Sequence, residues 1–235
     1  MPDLRLIMFD FDGTLVDSQA AIARAMAEAF AGVGLPAPAQ DRVRRVVGLP
    51  LESAIARLLP DGPRNGPGGG AGETGALIAR LAAGYRAAFF RLRGEPDFHE
   101  PLMAGAAQAL DGLGHPQVLL GIATGKGRRA LAASLEHHGL SRHFVTLKTA
   151  DDGPGKPHPG ILLDALAELG VAPEHTLVVG DTTFDMELAV NAGARALGVA
   201  WGYHAPPELL AAGAERVLDA FAEVSLALVG LEDRT

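Results

Sequence analysis

Five short runs, 4–9, 118–124, 144–147, 176–180 and 196–200, are nearly uninterrupted in apolar side chains. A strand with one wet face alternates apolar and polar residues, whereas one covered on both faces reads as a continuous apolar run. Helix-period segments separate these runs, at 104–113, 128–138, 159–169 and 184–192. Gly139, Gly170 and Gly193 stand where three of those helices should end, the usual place for a C-terminal glycine. Strand–helix alternation with doubly covered strands predicts an α/β fold, a Rossmann-like doubly wound parallel sheet.

One interval breaks the alternation. Between Asp17 and Pro96 the pattern is helical only, at 19–30, 50–59 and 74–92. This reads as an all-helical domain inserted after the first strand, with the α/β core at 1–16 and 96–235 and the insert at 17–95. Within the insert, residues 61–75 (DGPRNGPGGGAGETG) are dense in Gly and Pro and predict a loop between helices. No Lys-Ser/Thr follows it and no strand precedes it, so it lacks the context of a phosphate-cradling glycine loop. A chain of 235 residues, 48% hydrophobic and 20% charged, suffices for a sizeable core. The net charge of −8 makes nucleic acid and anionic membrane poor partners, and the absence of Cys excludes disulfides and thiolate chemistry. Neither a leader peptide nor a membrane span is evident, so a cytoplasmic place is expected.

Chemistry gathers at the C-terminal ends of the apolar runs, where open α/β sheets place their ligands. The first run ends in Asp10-Phe11-Asp12-Gly13-Thr14. Alternation along a strand puts Asp10 and Asp12 on one side. At an effective dielectric of ~20 and a separation of ~4 Å, their repulsion is about 4 kcal/mol, so a cation or a reaction is needed to justify the pair. The second run ends in Thr124-Gly125-Lys126, and the fourth in Gly180-Asp181 with Asp185 one turn on. Gly155-Lys156-Pro157 precedes the helix between them. Several carboxylates at one edge make a hard oxygen site suited to Mg²⁺ and phosphate oxygens. A lysine, a hydroxyl and helix N-termini add what phosphoryl transfer requires, with a carboxylate as possible nucleophile.

These residues resemble the haloacid dehalogenase-like (HAD) superfamily of aspartate-nucleophile phosphatases. All four of its motifs have counterparts in order: DFDGT at 10–14, Thr124, Lys156 in GKPHPG, and GDTTFD at 180–185. The helical insert between the first two motifs is similar to the subfamily with a helical cap there, and the wording is nearest the phosphoglycolate-phosphatase-like branch. The resemblance implies Asp10 as nucleophile and Asp12 as general acid and base. It implies Mg²⁺ on the Asp10 carboxylate, the Asp12 carbonyl and Asp181, with Asp185 in support. Thr124 and Lys156 would hold the phosphate, and a moving hairpin within 12–20 would gate water. Dehalogenases lack the second aspartate, and phosphonate-cleaving relatives replace it and need a cap lysine. This chain keeps Asp12 and has no Lys before Lys126.

Rival readings stand beside these. Thr124 is β-branched and suits a strand end, Lys156 suits a solvated loop, and Asp185 suits the first turn of a helix. Lys126 divides between phosphate contact with Gly125 and a surface position. Asp151-Asp152 reads as a solvated loop pair, and His137, His138 and His158 as structural or exposed. In the insert, Arg45 and Gly48-Leu49-Pro50 fall where related caps face substrate, and a surface arginine and a helix-capping turn account for them equally well. Trp201-Gly202-Tyr203 reads as packing. The expected function is a Mg²⁺-dependent phosphatase acting on a small phosphomonoester, 2-phosphoglycolate or a sugar phosphate, through an aspartyl-phosphate. The alternatives are a β-phosphoglucomutase-like phosphomutase and a non-catalytic phosphate-ligand binder. Monomer and homodimer both remain open.

Overall fold

The computed structural model describes residues 4–60, 71–113 and 118–224. Six parallel strands form one sheet. Strand β1 (Leu6–Phe9) lies inside it, between β2 (Leu119–Ala123) and β4 (Thr176–Gly180), with β3 (Thr146–Lys148) outside β2 and β5 (Arg195–Val199) and β6 (Arg216–Leu218) outside β4. Chain order thus runs outward from β1 in both directions. The crevice where the direction reverses, above β1 and β4, is where open α/β sheets bind ligands.

All residues of β1 and β4 are buried, as uninterrupted apolar runs require. Ile7 and Phe9 pack on one face with Leu110 of α5 (Ala106–Gly112) and Leu131 and Leu135 of α6 (Arg128–His138). Leu6 and Met8 pack on the other, against Ile161 of α7 (Gly160–Leu169), Leu188 of α8 (Thr183–Ala192) and Leu209 of α9 (Pro206–Ala211). Helices α6, α7 and α8 end as expected, with Gly139, Gly170 and Gly193 in the left-handed conformation.

The interval after β1 is helical: α1 (Gln19–Ala31), α2 (Gln40–Arg44), α3 (Leu51–Leu58) and α4 (Ala71–Leu92). Ile22, Met26, Ala29 and Phe30 give α1 an apolar stripe at helical spacing, and it packs with Ile55, Leu81 and Phe89 in a hydrophobic cluster of its own. A Cβ on Gly84 would stand 3.5 Å from the Ala29 Cα, so α1 and α4 cross closely there.

Each strand read from an apolar run is present, its ends displaced by no more than two residues. Helix α4 begins earlier than expected, at Ala71, so the last five residues of the loop read at 61–75 are helical and the preceding ones, 61–70, lie outside the described residues. Gly72 and Gly75 weaken a helix on propensity, but packing of Leu81, Ala82, Phe89 and Leu92 carries it. Three elements escaped the sequence reading. Helix α2 has five residues and buries only Val43, α9 has six and buries only Leu209, and β6 is a three-residue edge strand with Arg216 exposed. None is long enough to display a period.

Candidate active site

The ends of β1 and β4, with the loops after β2 and before α7, bring Asp10, Asp12, Thr124, Lys156, Asp181 and Asp185 together at the crevice. All six are buried. The Asp10 backbone N–H still bonds the Val179 carbonyl at 2.9 Å, so its carboxylate starts from the sheet itself. Its Oδ1 accepts from the Phe11 N–H at 2.6 Å and lies 2.8 Å from Lys156 Nζ. Its Oδ2 is buried and has no partner among the described residues. Burial pushes Asp10 up to about 7, with Lys156 pulling it down and Asp185 pushing it up.

Lys156 also pairs with Asp185, and burial notwithstanding, the two carboxylates hold its ammonium up at about 12. Asp185 has a second task. Its Oδ2 accepts from the Thr182 N–H at 3.0 Å and the Thr182 hydroxyl at 2.7 Å, closing the capping box of α8. The first-turn reading and the site reading of Asp185 therefore hold together. Asp181 accepts from the Thr14 hydroxyl at 2.7 Å and the Tyr203 N–H at 2.9 Å. Burial raises its pKa well above a free carboxyl, and Asp10 and Asp185 add to the shift. Asp10, Asp181 and Asp185 each offer an oxygen within 4.8 Å of the others. Three buried carboxylates, one with an orphaned oxygen, have the charge and donor set of a divalent-cation site.

Two glycines are needed here. Gly13 has φ +89°, and a Cβ on it would come within 2.3 Å of Asp181 Oδ2. A Cβ on Gly202 would stand 2.1 Å from the Asp181 Cβ. Trp201-Gly202-Tyr203 therefore packs as read, with the Trp201 ring N–H on the Thr14 carbonyl at 3.0 Å and its ring against Phe221. The same segment also seats Asp181.

Asp12 does not share the lysine of Asp10. Its Oδ1 lies 2.7 Å from Lys126 Nζ, whose side chain is buried, and Lys126 also reaches Glu100 Oε1 at 3.3 Å. The surface reading of Lys126 is thereby corrected: burial pulls its ammonium down, but Asp12 and Glu100 outweigh that and hold it above an ordinary lysine. Glu100 is buried and accepts from Arg93 at 2.9 Å and the Ser134 hydroxyl at 2.8 Å. Glu100, Arg93 and Ser134 carry no local motif, and only the fold brings them to Lys126. The acidic pair at the strand end is thus neutralised by two different lysines, one for each carboxylate.

Thr124 and Gly125 line a cavity of about 660 Å³ with Asp10, Asp12, Lys126 and Gly48. A Cβ on Gly125 would lie 2.6 Å from the Gly48 and Leu49 carbonyls, so the insert's loop rests on the core loop. Arg45 does not line the cavity. Its guanidinium is exposed and spent on Glu208, at 2.7 and 2.8 Å, because α2 turns it outward toward α9. Asp151 and Asp152 are more than a solvated pair: Asp151 accepts from the Arg128 N–H at the start of α6, and Asp152 from the Thr149 N–H and hydroxyl. His158 accepts from the Gly160 N–H at the start of α7, and His137 and His138 pack edge to face, in keeping with structural roles.

This arrangement matches known proteins over most of its length. The profile of the haloacid dehalogenase-like hydrolase family matches residues 7–199. The chain belongs to the haloacid dehalogenase-like hydrolases. It is 33% identical to Probable phosphatase IndB of Dickeya dadantii over 93% of this chain and 91% of that one. It is 32% identical to phosphoglycolate phosphatase 1 of Pseudomonas aeruginosa, over 85% of this chain and 71% of that one. It is also 30% identical to tyrosine-protein kinase PtkA of Mycobacterium tuberculosis, over 85% of this chain and 63% of that one. A crystal structure described as a predicted phosphoglycolate phosphatase from Haemophilus somnus superposes with TM-score 0.81 at 21% identity, covering 96% of this chain and 98% of that one. The family and the branch of phosphoglycolate-phosphatase-like enzymes are those the motifs resemble. No helix among the described residues is long and apolar enough to cross a membrane.

Proposed function

We propose that this hydrolase is a Mg²⁺-dependent phosphatase that cleaves a small-molecule phosphomonoester through an aspartyl-phosphate on Asp10, in the cytoplasm. The observation that carries the reading is the state of Asp10: buried, held through Oδ1 by Lys156 and the Phe11 N–H, unpartnered at Oδ2 among the described residues, and part of the cavity lining. Residues 17–95 act as the cap, and 1–16 with 96–235 as the catalytic core.

Asp10, Asp181, Asp185 and the main-chain carbonyl of Asp12 would hold the metal. Magnesium supplies charge neutralisation at the transferring phosphoryl group. Asp10 attacks phosphorus as the ester oxygen leaves, and Asp12 gives that oxygen a proton. Asp12 then takes a proton from water, which attacks the aspartyl-phosphate and frees inorganic phosphate and Asp10. Lys156 favours the ionised form of Asp10 against the effect of burial and neutralises the incoming phosphate, and Thr124 with the Gly125 N–H holds phosphate oxygens. Lys126 orients the Asp12 carboxylate. Gly48 closes the roof over Gly125. Arg45, tied to Glu208, supports the seating of the cap on the core and not substrate binding.

The relatives reported above favour hydrolysis over transfer to a second sugar hydroxyl, since two carry the name phosphatase and none that of a mutase. Phosphate release from p-nitrophenyl phosphate tests the reading with Mg²⁺, with EDTA, and as Asp10→Asn. Chelation and the substitution should each abolish turnover. Full activity of Asp10→Asn would refute the mechanism, and a shifted phosphate on a sugar phosphate would identify a mutase.

A further inference from the structure

We infer that the substrate is the phosphate ester of a bulky, uncharged, largely apolar alcohol, and not of a short acid or a sugar. The inference rests on the phosphatase reading above. The cavity of about 660 Å³ that begins at Asp10, Asp12 and Thr124 runs on under the cap. At ~30 Å³ per water in the liquid, it has room for roughly twenty waters. A two-carbon ester such as 2-phosphoglycolate would leave most of it unfilled.

The wall above the aspartates is apolar. Ile22 and Met26 of α1, Val43 and Val46 around α2, and Tyr85 and Phe89 of α4 face it. Tyr85 and Phe89 stack at 5.9 Å and present aromatic surface along α4. Apart from the Tyr85 hydroxyl, these side chains offer no hydrogen-bonding group to a carboxylate or a row of hydroxyls, which would lose water there at a cost that is greatest for a charge.

Two of the three cations that line this cavity are paired with carboxylates. Lys126 is held between Asp12 and Glu100. Arg86 pairs with Glu52 at 2.7 Å. Arg129 lies over the Phe90 ring, 3.8 Å from its centroid, where α6 meets α4. Of the carboxylates in the same space, Asp12 and Glu52 are those paired with Lys126 and Arg86, and Asp151 adds a negative charge that opposes a second one on the substrate. The phosphate end has Thr124, with Lys156 on Asp10; beyond it the lining is mainly hydrocarbon, with Arg86, Arg129, Glu52 and Asp151 among it.

The test compares kcat/KM with Mg²⁺ for 4-phenylbutyl phosphate, ethyl phosphate, 2-phosphoglycolate and glucose 6-phosphate. One methylene in an apolar pocket is worth about 10- to 200-fold in discrimination. The phenylbutyl ester should therefore exceed ethyl phosphate at least about tenfold, and phosphoglycolate and glucose 6-phosphate by about 100-fold. Val47, half-buried on the cavity wall, supplies a variant outside the catalytic machinery. Val47→Lys should depress the phenylbutyl ester and raise phosphoglycolate, while turnover of ethyl phosphate, which makes the least use of the apolar wall, reports that the catalytic groups remain intact. Equal or better use of phosphoglycolate or glucose 6-phosphate by the wild type would overturn the inference and leave the phosphatase reading standing. Failure to hydrolyse any ester would refute that reading instead. The cavity is then judged by calorimetry with 4-phenylbutylphosphonate against 3-phosphonopropionate: tighter binding of the former supports the inference, and tighter or equal binding of the latter overturns it.

Discussion

Raising the pH should loosen the metal-free protein, and Asp10 and Asp181 should both contribute. A free aspartic acid titrates at 3.8, whereas Asp10 in the folded chain sits at about 7, chiefly because burial strips its carboxylate of water. A group with a raised folded pKa stabilises the fold fully below its unfolded value, and the contribution is lost as pH climbs through the folded value. The window therefore runs from about pH 4 to about pH 7. A shift of roughly 3 units, at 1.36 kcal/mol each, corresponds to about 4 kcal/mol. In a chain of this size 1 kcal/mol moves Tm by about 2–4 °C, so the full effect is on the order of 10 °C. Asp181 is shifted in the same direction and adds to the slope. His138, His143 and His204 are shifted down by burial and oppose it. The clean readout is thus the difference between wild type and Asp10→Asn, scanned by calorimetry in EDTA from pH 4 to 8. Asp10→Asn should melt near the wild type at pH 4 and well above it at pH 8. Saturating Mg²⁺ should stabilise wild type more at pH 8 than at pH 5, since the cation favours the ionised carboxylates. Parallel curves for the two proteins across the range would refute the argument.

Two further outcomes follow from local geometry. Gly202→Ala would place a methyl group 2.1 Å from the Asp181 Cβ, where contacting carbons need about 3.5–4.0 Å. Asp181 must shift by more than an ångström, and Mg²⁺ affinity by titration calorimetry should fall about 10- to 100-fold, as when a ligand loses its support; unaltered affinity would show that Asp181 is not a ligand. Gly75→Ala adds a methyl to an exposed turn of α4 with no atom within 4 Å. It should stabilise the protein by about 0.5–1 kcal/mol, seen as a Tm higher by a few degrees, and a lower Tm would contradict the helical assignment there.

The parallel sheet was legible because its strands are buried on both faces and so read as unbroken apolar runs, of which 4–9 and 176–180 are the plainest. Asp10, Asp12, Asp181 and Lys156 were legible for a related reason: each follows a strand or precedes a helix at the edge where the topology gathers ligands. Elements too short to show a period, α2, α9 and β6, were not. Neither were Glu100, Arg93 and Ser134, since a salt-bridge network built from three separate segments leaves no trace in local spacing. Arg45 shows the converse. Its position in the chain suggested substrate, but α2 points it at Glu208, and orientation on a five-residue helix is not written in a periodicity. The cap cavity's character was equally hidden, because it depends on which faces of α1 and α4 are turned toward one another.

The link through Glu100 has one more consequence. Arg93 directly follows α4, the long helix of the cap, while Lys126 belongs to the core and touches Asp12. Both cations draw on the one carboxylate of Glu100, which also receives Ser134 of α6. A swing of α4 that withdraws Arg93 would leave Glu100 with less positive charge to satisfy, and Lys126 would be drawn toward it and away from Asp12. Asp12 would then respond to the angle of α4 without touching it. With this wiring, Asp12 is fully clamped only while Arg93 stays on Glu100.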